Sequence, residues 1–272
     1  MFFQKRSKCR VKVWEESNVK RVLVFAGTTE GHLVIDALTK MRVDIYVSVA
    51  TEYGRISFEY IPKVKVISGR MDAEAIRRFI IGKEIDIVID ATHPFAQAAT
   101  ANIKKACEGL STELIRCLRE SAEKDIDLQE TQVVSVMSVK EAVDYLRKTK
   151  GNIFIATGSK ELAAYTKLEG YRERCYARVL PIWGALEESM RLGFQGRNLI
   201  AMQGPFSKEL NIAMLRHVKA SYFVTKESGK AGGFREKLQA AQETQTVLVV
   251  IERPDEQGMS VEEVIRRVRQ NV

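Results

Sequence analysis

Short apolar, β-branched runs alternate with amphipathic stretches along most of this 272-residue chain. Runs at 21–26, 44–49, 64–67, 86–90 and 113–118 have the length and composition of strands. A 3.6-residue period between them predicts helices over 30–40, 73–81 and 96–108, the first with Leu33, Ala37 and Leu38 on its inner face. The stretch 119–132 is polar and aperiodic and reads as a linker. A second series follows, with strands at 132–136, 152–156, 174–179, 198–202, 222–225 and 247–251. Its helices fit 139–148, 160–166, 183–192, 208–217, 234–241 and 261–269. Strand–helix alternation of this kind implies parallel sheets covered on both faces. The fold class expected is α/β: two Rossmann-like domains with mainly parallel sheets and an interdomain cleft. The expected division is 1–18 as a disordered extension, 19–125 as a first, nucleotide-binding domain and 126–272 as a second.

In such sheets ligands bind at the carboxyl ends of strands, so the residues found there matter most. After the first strand come Gly27, Thr28, Thr29, Glu30 and Gly31. A tight turn into a helix N-terminus suits a phosphate, with two threonine hydroxyls as further donors. The spacing is GxxxG rather than GxGxxG, and an ordinary βα connection explains it equally well. After the second strand, Glu52 is placed to accept from adenine ribose hydroxyls, which favours NADH, whereas Arg55 argues for a 2′-phosphate. Arg70 follows the third strand, with Asp72 placed to cap the next helix. The fourth strand runs into Thr92, His93 and Pro94, with Pro94 fitting a first helical turn and His93 where a nicotinamide ring or substrate would lie. The second half repeats the habit: Thr157 to Lys160, Arg178, Gly204 to Ser207, and Thr225 to Ser228 leading to Gly232, Gly233 and Lys237. Tyr222 and Lys226 form YxxxK, but on a strand four residues span about 13 Å, so the pair cannot act as the one-turn catalytic unit of short-chain dehydrogenases.

Composition narrows the chemistry. Hydrophobic residues make up 45% and charged residues 29%, as in globular proteins, and no apolar run reaches membrane-spanning length. Six Lys/Arg against two Glu in the first 20 residues supply half of the net charge of +8. The remaining body is mildly basic, which suits an anionic ligand and not nucleic acid. That basic N-terminus lacks an apolar signal core and reads as a loose extension or a misassigned start, so a cytoplasmic location is expected. Cys9, Cys107, Cys117 and Cys175 are scattered, and the three histidines have no ligand spacing. Buried thiols are expected, without a metal site.

The ordered set Gly27–Gly31, Ala50-Thr51-Glu52-Tyr53-Gly54, Asp90-Ala91-Thr92-His93-Pro94-Phe95-Ala96, Thr157-Gly158-Ser159-Lys160, Gly204-Pro205-Phe206-Ser207 and Thr225-Lys226-Glu227-Ser228-Gly229, with Gly232, Gly233 and Lys237, resembles the precorrin-6A reductase family, in particular its cobalt-precorrin-6A branch in cobalamin biosynthesis. The resemblance spans Lys20 to Pro254. It implies a nicotinamide-dependent oxidoreductase that delivers hydride to a corrin-precursor macrocycle, reducing its carbon 18 to carbon 19 double bond. The branch implies NADH, with NADPH as the alternative, and any cobalt would arrive with the substrate.

On that footing Gly27, Thr28, Thr29, Glu30, Glu52, Arg70, Thr92, His93 and Pro94 are candidates for the cofactor. Lys160, Arg178, Ser207, Lys226, Ser228, Gly232, Gly233 and Lys237 are candidates for the anionic tetrapyrrole-derived substrate. His93 and Lys226 are the catalytic candidates. Expected partners are that macrocycle and, beyond it, neighbouring corrin-pathway enzymes, with no nucleic acid and no membrane. An S-adenosylmethionine-dependent methyltransferase and a non-catalytic nucleotide-binding sensor remain the alternative readings.

Overall fold

Five parallel strands build the first sheet: β1 (Lys20–Phe25), β2 (Val43–Val49), β3 (Val64–Ser68), β4 (Ile87–Asp90) and β5 (Glu113–Arg116). Their order in space is β3-β2-β1-β4-β5. The computed structural model describes residues 19–118, 132–229 and 232–272, without the side chains of Glu52 and Tyr53. The expected extension at 1–18, Cys9, and all but the last residue of the linker expected at 119–132 lie outside the described residues. Helices α1 (Thr29–Thr39), α2 (Glu52–Glu59), α3 (Ala73–Gly82) and α4 (Gln97–Cys107) connect the strands. β1 is central, and Val22, Leu23 and Val24 have no exposed surface, which is why this strand reads as a continuous apolar run. On one face Leu23, Phe25 and Val88 pack with Ile76, Ile80 and Ile103.

The second sheet is also all parallel. Its strands are β6 (Val133–Val136), β7 (Asn152–Ile155), β8 (Cys175–Val179), β9 (Leu199–Ala201), β10 (Ala220–Lys226) and β11 (Val247–Ile251), ordered β6-β11-β10-β7-β8-β9. The helices between them are α5 (Val139–Leu146), α6 (Leu162–Tyr165), α7 (Tyr171–Arg174), α8 (Trp183–Arg191), α9 (Lys208–His217) and α10 (Phe234–Glu243); α11 (Val261–Asn271) closes the chain. Alternate residues feed two cores. Ile153 and Ile155 enter one, while Phe154, between them, enters the other with Phe223, Leu215 and Leu238. The central strands are therefore buried on both faces.

The elements expected from periodicity are present, with instructive differences. Residues after β2, read as a loop, form α2. That helix is short and, among its described side chains, turns only Phe58 fully inward, so its pattern carries little periodic signal. In α1 the inner face is Val34, Ile35 and Leu38, and Leu33, expected there, is 53% exposed. The division at 125/126 also differs from the contacts formed. Residues 261–272 belong to the first compact unit and residues 93–97 to the second. Helix α11 buries Val264 and Val268 and packs against α1. It is pinned where Glu113 of β5 accepts from Arg267 Nε at 2.7 Å and Asn271 Nδ2 at 2.6 Å.

Cys107, Cys117 and Cys175 are buried and unbridged. Burial pushes the Cys107 thiol to about 11 and those of Cys117 and Cys175 to about 12, so none is a thiolate nucleophile at neutral pH. Among the described residues no helix is long and apolar enough to cross a membrane.

Candidate active site

In the first unit, β1 is the strand at which the sheet order reverses. Connections run from β1 through β2 to β3 on one side, then return to β4 on the other. The crevice at such a reversal is where open α/β sheets take ligands. The Gly27–Gly31 turn leaves β1 there and Ala91 and Thr92 leave β4 beside it. Thr28 joins them. Its Oγ1 donates to Ala91 O at 2.9 Å and accepts from Gly31 N at 3.2 Å, capping α1. With its one hydrogen committed to Ala91, the Thr28 hydroxyl is not the free donor expected from sequence. It fixes the helix end, where Thr29 N–H has no partner inside the helix and the dipole favours an anion.

The two glycines of this turn have separate tasks. Gly27 has φ of +132°, and a Cβ there would meet nothing within 4 Å, so the backbone faces open space. A Cβ on Gly31 would sit 3.2 Å from Ala26 Cβ and 3.3 Å from Ala26 Cα, so Gly31 lets α1 lie close to β1. Thr51 and Gly54 repeat the device at α2, with Gly54 N donating to Thr51 Oγ1 at 3.1 Å. An open glycine beside first-turn N–H groups is the donor set a pyrophosphate needs, so the residues present fit the phosphate end of a dinucleotide. Glu30, the other cofactor candidate in the turn, is buried, and its charge helps to raise the Cys117 thiol.

Behind the end of β4 lies a buried ion pair missed by the sequence reading. Asp90 (2% exposed) and Arg116 of β5 (9%) meet at 3.0 Å. Asp90 Oδ1 also accepts from Thr92 N at 3.0 Å and Thr92 Oγ1 at 2.7 Å, while Arg116 NH1 donates to Thr92 O at 3.0 Å. Thr92, expected to touch cofactor, thus spends its hydroxyl hydrogen and carbonyl on holding the strand exit in shape. The sequence signal was available as an Asp and an Arg ending adjacent strands, but only pairing β4 with β5 joins them.

The other cofactor candidates are placed as follows. Arg70 is exposed just past β3, at the edge of the sheet. Glu52 opens α2, and its side chain lies outside the described residues. Arg55 pairs with Glu59 at 2.7 Å within α2. Pro94 is not in a first helical turn, because α4 begins at Gln97. It follows His93 in a turn closed by Ala96 N donating to His93 O at 2.7 Å, where proline is favoured. His93 Nδ1 accepts from Phe95 N at 3.3 Å, so the neutral ring carries its hydrogen on Nε2.

In the second unit the reversal lies between β7 and β10. The Thr157–Lys160 turn leaves one strand and the Lys226–Gly229 turn leaves the other. They are linked by Lys226 Nζ and Glu161 Oε1 at 3.2 Å. Lys226 Nζ also lies 5.0 Å from the centroid of the Phe95 ring, and His93 lies 5.7 Å from the same ring. The two catalytic candidates, 133 positions apart, therefore flank one aromatic ring. Glu161 and Phe95 complete that group. Both stand in or beside the quoted motifs, but neither was assigned a role from sequence. Tyr222 and Lys226 both lie on β10, so the YxxxK spacing is a strand spacing, as expected.

Several remaining candidates hold the loops themselves. Ser228 Oγ donates to Gly232 O at 2.9 Å, and Lys237 Nζ donates to Ser228 Oγ at 3.2 Å and to Gly232 O at 3.1 Å. Gly233, with φ of +69°, starts α10. Glu227 accepts from Gly229 N at 3.0 Å and pairs with Arg253 at 2.7 Å. Ser207 caps α9, its Oγ accepting from Leu210 N at 3.2 Å. Lys160 is exposed on its turn. Arg178 is buried near the end of β8, with NH1 donating to Asn211 Oδ1 at 2.9 Å.

A cavity of about 480 Å³ in the first unit lies at the opposite end of the sheet, lined by Lys20, Asp86, Leu110 and Glu113 among others. Its charged groups are already matched, Lys20 with Asp86 and Glu113 with Arg267, each at 2.7 Å. It gathers at strand amino ends, away from the turns described above.

Residues 21–269 match the family described as Precorrin-6x reductase CbiJ/CobK. A cobalt-precorrin-6A reductase of Methanothermobacter thermautotrophicus is 34% identical over 239 residues, covering 86% of this chain and 76% of that protein. One from Priestia megaterium is 33% identical over 235 residues, covering 86% and 90%. Among solved structures, CobK precorrin-6A reductase superposes with a TM-score of 0.72 at 21% identity, covering 93% of this chain and 97% of that one, a likeness of fold. The chain is a member of the precorrin-6x reductase family.

Proposed function

We propose that this protein is a cobalt-precorrin-6A reductase that takes hydride from NADH. The observation that carries the site is the bridge from Thr28 to Ala91, which sets an open glycine turn beside the end of β4 at the reversal of the first sheet. Family membership supplies the reaction class and leaves the methyltransferase and sensor readings without support. Bound nicotinamide supplies the hydride, and one proton completes reduction of the ring double bond.

In this reading Gly27 and the N–H groups opening α1 hold the pyrophosphate, with Thr28 fixing the helix end. Glu52 takes the adenine ribose hydroxyls, and Arg70 a phosphate oxygen. The Thr92–Pro94 turn presents His93 beside the nicotinamide. Lys226, with Lys160 and Arg178, receives the acidic rim of the macrocycle, and Ser207, Ser228, Gly232, Gly233 and Lys237 shape the loops around it. Anaerobic turnover of cobalt-precorrin-6A and precorrin-6A with NADH and with NADPH tests the whole reading. The expected result is fastest turnover for the cobalt-loaded ring with NADH.

Two substitutions test its halves. Thr28→Ala removes a cap and is expected to cost about 1 kcal/mol of stability. It should also weaken dinucleotide binding about tenfold, a change of roughly 1.4 kcal/mol. Fluorescence titration that finds unchanged affinity for both dinucleotides removes this turn from the site. Lys226→Ala removes a charge-assisted contact and is expected to lower kcat/KM on the order of 10- to 100-fold. Steady-state kinetics indistinguishable from the parent would eliminate Lys226 from the reaction.

A further inference from the structure

Among the described residues two arginines are almost fully buried, Arg116 and Arg178, and of these two Arg116 has an acidic partner. Arg116 is matched by Asp90 and two carbonyl oxygens. Arg178 is 6% exposed, yet none of its contacts is a carboxylate. NH1 donates to Asn211 Oδ1 at 2.9 Å and approaches Met214 Sδ at 3.4 Å. The guanidinium lies 3.7 Å from the centroid of the Phe206 ring and 5.3 Å from that of Phe154. Nε and NH2 donate to nothing among the described residues, and neither is sealed from solvent. Burial pushes this guanidinium down to about 10.

Lys226, by contrast, has Glu161 at 3.2 Å. A guanidinium held rigid by a stacked ring and one amide, with its Nε–NH2 edge unused, has the geometry for a side-on bidentate carboxylate. The surroundings are apolar. Just past β8, Leu180 is 47% and Trp183 80% exposed, and Met202, past β9, is 38% exposed. Met202 N donates to Val179 O at 3.0 Å, so the two strand ends are joined.

We propose that Arg178 is the receptor for one peripheral carboxylate of the macrocycle, through Nε and NH2, while Leu180, Trp183 and Met202 form an apolar shelf for the ring beside it. The identity of the ligand rests on the reductase reading; the need for an anion rests on the unmatched cation alone. Asn211 and Phe206 are positioning residues, since they touch the guanidinium without engaging Nε or NH2.

The test uses Arg178→Met, Arg178→Lys and Trp183→Ala in the full chain. It measures thermal midpoint, KM for cobalt-precorrin-6A, NADH affinity, and binding of cobyrinic acid as a stable polycarboxylated ring. Removing a buried charge that no carboxylate matches relieves its desolvation cost, and methionine keeps an apolar contact with the Phe206 ring. Arg178→Met is therefore expected to keep or raise the midpoint while raising KM and the cobyrinic acid Kd at least tenfold, with NADH affinity unchanged. Arg178→Lys is expected to recover part of the loss, and Trp183→Ala to weaken ring binding severalfold.

Unchanged ring affinity in Arg178→Met overturns the proposal. So does a lowered midpoint with unchanged affinity in the folded protein, which makes Arg178 a packing residue. If Arg178→Met does not fold, unchanged ring affinity in both other variants overturns it. Arg178-dependent cobyrinic acid binding without turnover would remove the reductase reading and leave the carboxylate site. Turnover with Arg178-independent binding would do the reverse.

Discussion

Asp90→Ala is expected to be the most damaging single substitution in the first unit, costing about 3–5 kcal/mol. The loss does not come from a missing attraction alone. It comes from leaving the Arg116 guanidinium, 9% exposed, without the carboxylate 3.0 Å away that matches it. The Asp90 and Thr92 carbonyls at 3.0–3.1 Å and Thr92 Oγ1 at 3.3 Å still face Arg116, but these three carry no charge. For a domain of this size the change corresponds to a fall in thermal midpoint on the order of 10 °C. The same substitution frees Thr92 N and Oγ1, so the turn carrying His93 loses its anchor and kcat should fall as well. Asp90→Ala combined with Arg116→Met separates the causes. If the buried charge is responsible, the double variant recovers much of the lost stability. A double variant as unstable as the single one, by thermal melt, would show that packing at the strand end is what matters.

Gly31→Val is expected to separate binding from folding. Its Cβ would stand 3.2 Å from Ala26 Cβ and 3.3 Å from the Ala26 backbone, and the second of these cannot swing aside. The helix must move off β1, at a cost of about 1–3 kcal/mol for overpacking. That movement also shifts the helix end and Thr28, whose hydroxyl reaches across to Ala91. NADH affinity should fall on the order of 10- to 100-fold, the size of effect produced by misplacing a positioned group. Nicotinamide fluorescence titration decides it, read beside a thermal melt. A variant that melts early yet binds NADH with parental affinity would place the pyrophosphate elsewhere. Gly27 offers the contrast: a Cβ there meets nothing, and the obstacle is a φ of +132°, so even alanine is strained.

Most of the architecture was legible in the order of residues because both sheets are parallel and buried on two faces. Runs such as Val22-Leu23-Val24 and Val247-Leu248-Val249-Val250-Ile251 announce themselves, and the amphipathic segments between them complete the alternation. Weak signals failed where burial is slight. Among the described side chains of α2 only Phe58 turns fully inward, and α7 is a single turn of Tyr171 to Arg174. The site was legible as places more than as roles. The glycine turns, the His93 exit and the Lys226 turn stand where a parallel sheet presents ligands. Thr28, Thr92, Ser228 and Lys237 stand as ligand candidates because they are polar and at strand ends, and the structure adds the hydrogen bonds each makes in or beside its own turn. A sequence states which groups can donate, and only the fold states which acceptor takes the proton.

By itself, then, the sequence determined the strand–helix alternation, the parallel sheets and the strand ends at which polar turns gather. These follow from local periodicity and turn chemistry, which act over a few residues. Tertiary structure alone decided which turns become neighbours: Thr28 with Ala91, Lys226 with Glu161 and Phe95, Asp90 with Arg116. It also decided that α11, whose Val264 and Val268 advertise an apolar face without naming its partner, packs in the first unit. The reason is the same in each case. An apolar face or a charge fixes that something must be covered or matched, but the choice of partner depends on strand order, which is set by contacts far apart along the chain.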